Sequence, residues 1–298
     1  MNVDKEMSFL DHLEELRWHL IRSIIAILIF TVAAFFSKYY IFHVIIFGPS
    51  RPDFITYRVL CKLSEYFQTP ALCINSLPFT LQSRTMTGQF TMHITSSVVV
   101  GLICAFPYVF WEIWRFVKPG LYPHEQRVSR YATFFVSFLF LSGVLFGYFI
   151  ITPISINFLV NYQIDESIRN DIDIISYIQT IIMIVLACGV MFQLPIVVYF
   201  LSKIGIVTPA LMKNYFRHAV VIILIVSAVI TPPDVFSQIL VALPVTILYA
   251  FSILISAKVQ QGLEKEEAEL AKRYASKAFS EKNTLQIKPP ANSVNRQF

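Results

Sequence analysis

The sequence has little charge for its length. Asp, Glu, Lys and Arg make up 14% of its 298 residues, whereas apolar residues make up 56%. A soluble domain typically carries about 25% charged residues, because its surface must face water. The shortage of charge therefore excludes an ordinary soluble protein and predicts a chain that is surrounded largely by lipid.

Several catalytic motifs are also missing from the sequence. Its nine glycines do not form the GxxxxGK pattern of a phosphate-binding loop, which argues against an ATP-driven motor. Its four cysteines include no CxxC pair, and there is no HExxH, so neither a metal site nor a metalloprotease is expected. We expect no cofactor and no enzymatic activity.

The apolar segments contain no Asp, Glu, Lys or Arg near their centres. A secondary transporter for small solutes usually needs an ionisable group or a broken helix at that depth. No internal repeat is visible either. Such a transporter remains the alternative function, and a receptor or assembly scaffold is favoured over it.

Six apolar segments stand out, and spanning a hydrocarbon core of about 30 Å takes roughly 20 apolar residues of helix. We therefore predict an all-α integral membrane protein with six transmembrane helices. The predicted spans lie near residues 23–36 (extending towards 47), 90–111, 131–154, 172–202, 216–230 and 235–257. The fifth has only about 15 residues, roughly 22 Å of helix, which is short for a bilayer.

The distribution of Lys and Arg predicts the orientation. Basic residues concentrate in the segments that are inside when the N-terminus is inside, and the outer turn Thr231–Asp234 has none. Both termini are therefore predicted to be cytoplasmic. The expected organisation is an amphipathic N-terminal helix (1–22), a transmembrane domain (23–257) and a charged, partly disordered tail (258–298). The transmembrane domain includes a long outer loop (48–89).

The N-terminal segment has a helical pattern of apolar residues, formed by Phe9, Leu10, Leu13, Leu16, Leu20 and Ile21. We expect this helix to lie along the inner membrane surface before it turns into the first span. Its polar side presents Glu14, Glu15 and Arg17. From the residues alone, this side is equally well explained as a solvated face with a Glu14–Arg17 pair.

Four stretches together resemble the signatures of the TatC family, which belongs to the twin-arginine protein translocase. They are HLEELRWHL, FVKPGLYPHEQR (Phe116–Arg127), FQLPIVV (Phe192–Val198) and TPPDVFSQILVALPVTILY (Thr231–Tyr249). They occur in the family's order, and the resemblance covers roughly residues 7 to 258. It implies a multi-pass protein of the bacterial cytoplasmic membrane that helps to export folded proteins.

The resemblance also implies that the protein receives signal peptides with two consecutive arginines. A guanidinium group is planar and permanently charged, so it pairs well with a carboxylate. By motif match, Glu15 and Glu125 are the candidate signal-peptide contacts; the alternative is structural salt bridges with Arg17 or Arg127. The residues expected to shape the site are Leu16, Arg17, Phe116, Pro119, Leu121 and Arg127.

The expected partners are single-span TatA- and TatB-type subunits in a hetero-oligomer, besides the signal peptide and the lipid bilayer. No nucleic-acid partner is expected, and the family implies that the transmembrane proton gradient supplies the energy. Gln193 is a candidate partner contact, weighed equally against a role as inter-helix glue. The family often has Glu at this position, and Gln cannot carry a proton. Asp234 is a second candidate contact, although capping the next helix is favoured for it.

Two local features give structural predictions. Gly143 and Gly147 form a GxxxG pattern, interpreted as close packing within the protein rather than dimerisation. Cys61 and Cys73 lie in the same outer loop on the oxidising side, so we expect a disulfide between them. The alternative is two unpaired thiols in a loop with its own small core.

Overall fold

The computed structural model of the chain describes residues 9–69, 73, 77, 79–117, 129–165, 170–230 and 235–286, and these are mostly helical. The helices are α1 (Phe9–Phe36), α2 (Ile55–Phe67), α3 (Gly88–Val117), α4 (Ser129–Phe146), α5 (Thr152–Asn161), α6 (Ile174–Met191), α7 (Leu194–Lys203), α8 (Pro209–Asn214), α9 (Phe216–Ile230) and α10 (Val235–Gln286). Tyr40–Ile46 and Gly147–Ile151 are π-helical. A short parallel sheet pairs β1 (Thr80–Gln82) with β2 (Asp171–Asp173).

Five helical segments in the described part of the chain are long and apolar enough to cross a membrane. They are Leu13–Phe36, Gly88–Val117, Thr133–Asn161, Ile174–Lys203 and Gln238–Ser276. The predicted fifth span corresponds to α9, which is apolar but shorter than these five. The protein is therefore a multi-pass helical membrane protein.

The N-terminal helix and the first span form one continuous helix, α1. The predicted turn between a surface helix and the span, near Arg22 and Ser23, was wrong. No Pro or Gly interrupts the sequence there, and the buried hydroxyl of Ser23 donates to the carbonyl oxygen of His19 at 2.9 Å instead of breaking the helix. The described polar residues of 1–22 therefore lie on the same continuous helix as the first span.

Two predicted spans are interrupted where proline removes a backbone donor. The fourth span divides into α6 and α7 around Phe192 and Gln193, because Pro195 has no N–H for the carbonyl of Met191. The third span passes through a π-helical segment before Pro153.

The chain divides into two compact units. One contains the residues up to Leu194 together with Arg217–Tyr249, and the other contains Pro195–Phe216 and the chain from Ala250 onward. In the second unit, the Ser202 hydroxyl donates to the Ser256 hydroxyl at 2.8 Å, and both side chains are buried. The Thr208 side chain caps α8 by accepting from the Leu211 amide.

In the first unit, the predicted packing role of the GxxxG pattern is confirmed. A Cβ added at Gly143 would lie 2.6 Å from the Cys188 carbonyl oxygen, and one at Gly147 would lie 2.9 Å from the Cys188 Cβ. Gly143 lies on α4 and Gly147 begins the π-helical segment that follows it, and the backbone of this span approaches α6 this closely only because both positions lack a side chain. The two glycines therefore serve packing between helices of the same chain.

The loop 48–89, which was predicted to lie outside, contains a helix, α2, that contacts the break in the third span. The Thr56 hydroxyl donates to the Phe149 carbonyl, to which Pro153, four residues on, has no N–H to donate. The hydroxyl of Tyr57, whose side chain is fully buried, lies 2.9 Å from the Pro49 carbonyl oxygen and 3.0 Å from that of Pro153. Burial raises the pKa of Tyr57 far above its usual value.

Cys61 and Cys73 form a disulfide, which confirms the predicted pair. The bond joins α2 to the segment that follows it, across a sequence separation of 12 residues. It therefore closes the stretch 61–73, which begins inside α2 and ends before β1.

Replacing both disulfide cysteines by serine is expected to destabilise this loop by about 3 kcal/mol, because the bridge removes loop-closure entropy from the unfolded chain. Thermal unfolding of the detergent-solubilised protein, with and without reductant, measures the effect. Cys104→Ser is the control, since Cys104 is a free, exposed cysteine on α3. Equal unfolding midpoints for the wild type and the double variant would contradict the prediction.

Candidate functional site

The N-terminal half of α1 lies against the C-terminal end of α3, and the candidate site is built there. α1 packs more extensively against α3 than any other pair of elements pack together in the described part of the chain. This packing brings His19 and Glu112 together across 93 positions of sequence. The site thus joins the first family signature to the helix that leads into the second.

Glu112 is 1% exposed, although it carries a carboxylate. Burying a charge is costly unless it is paired and hydrogen-bonded. Here the His19 Nδ1 lies 2.5 Å from one carboxylate oxygen, and the Tyr108 hydroxyl donates to the other at 3.0 Å. Arg115 and Arg22 lie 3.6 Å and 4.0 Å from the carboxylate oxygens. We call these five residues the Glu112 cluster.

The two arginines of the cluster balance the buried charge from its rim. Their side chains are 48% exposed for Arg22 and 47% for Arg115, so both guanidinium groups remain partly hydrated. Arg115 also lies over the Trp111 ring, with its Cζ 4.9 Å from the ring centroid. The charge of Glu112 is therefore neutralised within the protein rather than presented to a ligand.

Glu15 differs from Glu112 in its exposure. Its side chain is 38% exposed, and its nearest ionic partner is the His19 Nε2 at 3.9 Å. That distance is longer than a hydrogen bond, so the carboxylate keeps its capacity to accept donors. Among the described side chains no ion pair joins Glu15 to Arg17, whose guanidinium lies 5.7 Å from the Trp18 ring centroid.

The other predicted site residues fall into two groups. Leu16 and Arg17 are exposed on α1, and the half-buried Phe116 ring lies 6.3 Å from the His19 ring, edge to face. Pro119, Leu121, Glu125, Arg127 and Asp234 lie outside the described residues. Of the predicted site residues, the structure thus places Glu15 and Phe116 next to His19.

Sequence reasoning missed His19 as a member of the site. Glu112 was not predicted to belong to the site either. A signal was present: both residues are ionisable and lie at the ends of apolar helices predicted on the same side of the membrane. Their pairing depends on the register between α1 and α3, which periodicity within one helix does not determine.

Gln193 lies where α6 ends, and its side-chain amide donates to the Val136 carbonyl of α4 at 3.3 Å. This hydrogen bond is the one expected of an amide that holds two helices of the same chain together. Gln238 plays a similar part between α10 and α9, donating to the Leu224 carbonyl at 3.0 Å. Both amides satisfy backbone carbonyls inside the helical bundle.

The fold and the site define a multi-pass helical membrane protein with an acidic site at one end of its first two long helices. Comparison with known proteins agrees with this class. The sequence pattern of the family Sec-independent protein translocase protein (TatC) matches residues 11–244. The chain belongs to the TatC family.

Several known proteins show how far the likeness extends. The Sec-independent protein translocase protein TatC of Blattabacterium sp. (Periplaneta americana) is 42% identical over 262 residues, covering 87% of this chain and 98% of its own. That of Aquifex aeolicus is 32% identical over 250 residues, covering 84% and 94%. A crystal structure named twin arginine translocase receptor TatC is 31% identical with a TM-score of 0.62, covering 84% of this chain and 99% of its own.

Membership of this family assigns the chain to protein translocation and not to small-solute transport. The protein is a component of the Sec-independent, twin-arginine translocase. The alternative function that composition left open is thereby removed.

Proposed function

We propose that the protein is the subunit that receives twin-arginine signal peptides, with Glu15 and Glu125 as the carboxylates that bind the two arginines. The single observation that carries this proposal is the state of Glu15. Its carboxylate is partly exposed and has no close hydrogen-bonded partner among the described residues. The carboxylate of the neighbouring Glu112, by contrast, is neutralised by the other members of the Glu112 cluster. A guanidinium arriving from outside the chain therefore finds its acceptor at Glu15.

Two carboxylates suit two arginines for a chemical reason. Each guanidinium presents its N–H donors in a plane that matches a carboxylate in a bidentate pair, which a lysine ammonium cannot reproduce. Glu125 lies in the segment that follows α3, and α3 carries the Glu112 cluster against α1. Leu16, Arg17, Phe116, Pro119, Leu121 and Arg127 are proposed to shape the site around these pairs.

The topology that this function requires has six spans, with α9 as the fifth, and both termini in the cytoplasm of a bacterial cell. The Lys and Arg distribution supports this orientation. So does the Cys61–Cys73 disulfide, because such bonds persist on the oxidising side of the cytoplasmic membrane. Glu15 then lies on the side from which a newly folded cargo protein arrives.

Gln193 and Asp234 are proposed contacts for single-span TatA- and TatB-type subunits in a hetero-oligomer. Gln193 is only partly buried, so its amide can bond to Val136 and still meet a partner helix. Copurification of those subunits with a Gln193→Leu variant tests this proposal. Undiminished copurification would leave Gln193 as internal glue.

Site-specific crosslinking tests the proposed receptor function directly. A synthetic peptide with two consecutive arginines and a photoreactive residue beside them is expected to crosslink the full wild-type chain next to Glu15 or Glu125. Glu15→Gln is expected to reduce this crosslink, and Glu14→Gln, one step around α1, is the matched control. An equal crosslink in both variants, or one that persists when the peptide's arginines are replaced by lysines, would count against the assignment.

A further inference from the structure

The His19 side chain connects two carboxylates of opposite character. It is 6% exposed, and its Nδ1 lies 2.5 Å from the buried Glu112 while its Nε2 lies 3.9 Å from the half-exposed Glu15. The Phe116 ring also lies against the imidazole in an edge-to-face arrangement. The ring orientation is thus determined by the protein and not by solvent.

Glu112, which orients that ring, is itself held by groups from both helices. Tyr108 and Arg115 contact it from α3, and Arg22 contacts it from α1. Because these partners neutralise its charge and cover it, Glu112 does not reach a ligand. Its effect on recognition must therefore pass through another residue.

We propose that His19 and Glu112 are positioning residues for Glu15, a role that rests on the proposed receptor function. Glu15 and His19 are one helical turn apart, so they share a face of α1. Anchoring His19 on Glu112 fixes the rotation of α1 about its axis and therefore the direction in which the Glu15 carboxylate points. The His19 Nε2 then limits the positions that this carboxylate samples. A carboxylate that is oriented in advance loses less conformational freedom when it binds a guanidinium.

A double-mutant cycle on the full chain tests this role, with a synthetic twin-arginine signal peptide as the probe. His19→Asn is the informative variant, because its amide nitrogen can replace Nδ1 as a donor to Glu112 but leaves nothing in place of Nε2. We expect this variant to bind the peptide about tenfold more weakly than the wild type. In a Glu15→Gln background, the same change is expected to have almost no further effect, since the group it positions is gone.

Two further variants separate positioning from general damage to the structure. Glu112→Gln keeps the side-chain shape and an acceptor for His19, and it is expected to weaken binding in the same non-additive way. Glu14→Gln removes an exposed carboxylate next to Glu15 and is expected to leave binding unchanged. Unfolding midpoints measured in parallel identify any variant that is misfolded, and the comparison is made among folded variants.

The outcomes distinguish this inference from the proposed function. If His19→Asn binds like the wild type, or if its effect adds fully to that of Glu15→Gln, then His19 has only a structural role and the inference is overturned. If Glu15→Gln itself binds like the wild type, both the receptor assignment and the inference fail. Strong non-additivity with an unaffected Glu14→Gln supports positioning.

Discussion

Glu15→Lys and Glu125→Lys should each abolish binding of twin-arginine signal peptides while leaving the protein in the membrane. Removing one member of a desolvated, hydrogen-bonded charge pair costs about 2–5 kcal/mol, and here the substitution also places two like charges together. The loss corresponds to roughly 30-fold to several thousand-fold in affinity. Titration of a labelled signal peptide into the purified, detergent-solubilised protein measures it.

The control for this experiment is Glu14→Lys. It makes the same change of charge on the neighbouring residue of α1, which is exposed. A general electrostatic attraction between an acidic surface and a basic peptide would weaken equally in both variants. A specific site predicts that Glu14→Lys binds nearly as well as the wild type. Unchanged affinity of both the Glu15 and the Glu125 variants would overturn the assignment.

The apolar spans could be predicted from the sequence because hydropathy over about 20 residues reports directly on burial in lipid. The disulfide could be predicted because Cys61 and Cys73 are separated by only 12 positions in one loop, which the Lys and Arg distribution predicts to lie on the oxidising side. In both cases the determining residues are close together in the sequence. The helix α2 inside the loop 48–89 was not predicted, because Pro49 and Pro52 before it and Pro70 after it are residues that break regular structure.

The continuity of α1 could not be predicted from the amphipathic pattern of its first residues. The apolar positions of residues 9–22 were interpreted as a face lying on the membrane surface. In the structure Leu13, Leu16 and Leu20 are exposed on the continuous helix, while His19 is buried against α3. A polar residue is buried on that helix because its partner, Glu112, comes from elsewhere in the chain. No pattern within α1 alone contains that information.

The resemblance to known signatures pointed to Glu15, whereas the physical reason for its availability came from the structure. Its neighbour Glu112 has the same side chain but is neutralised by two arginines, a tyrosine and a histidine. Sequence alone does not distinguish a carboxylate that is neutralised internally from one that remains able to accept a ligand. That distinction depends on which helix ends meet, and the packing of α1 on α3 decides it.

The close approach of α1 to α3 depends on Gly101, which no sequence motif singled out. A Cβ added there would lie 2.7 Å from the Thr31 amide nitrogen and 2.8 Å from the Thr31 Cα. These are backbone atoms, so a larger side chain cannot be accommodated by a change of rotamer on α1. One of the two helices must move.

Gly101→Leu is therefore expected to separate α1 from α3 and to destabilise the protein by roughly 3 kcal/mol or more, at the upper end of the range for overpacked cores. Because the same two helices hold His19 against Glu112, the variant should also lose signal-peptide binding, although Gly101 lies several helical turns from Glu15. Val98→Leu is the matched control, since Val98 is exposed on the same helix. Thermal unfolding and peptide titration of the two variants measure both effects. If Gly101→Leu unfolds and binds like Val98→Leu, then the close contact at Gly101 is not what maintains the register between α1 and α3.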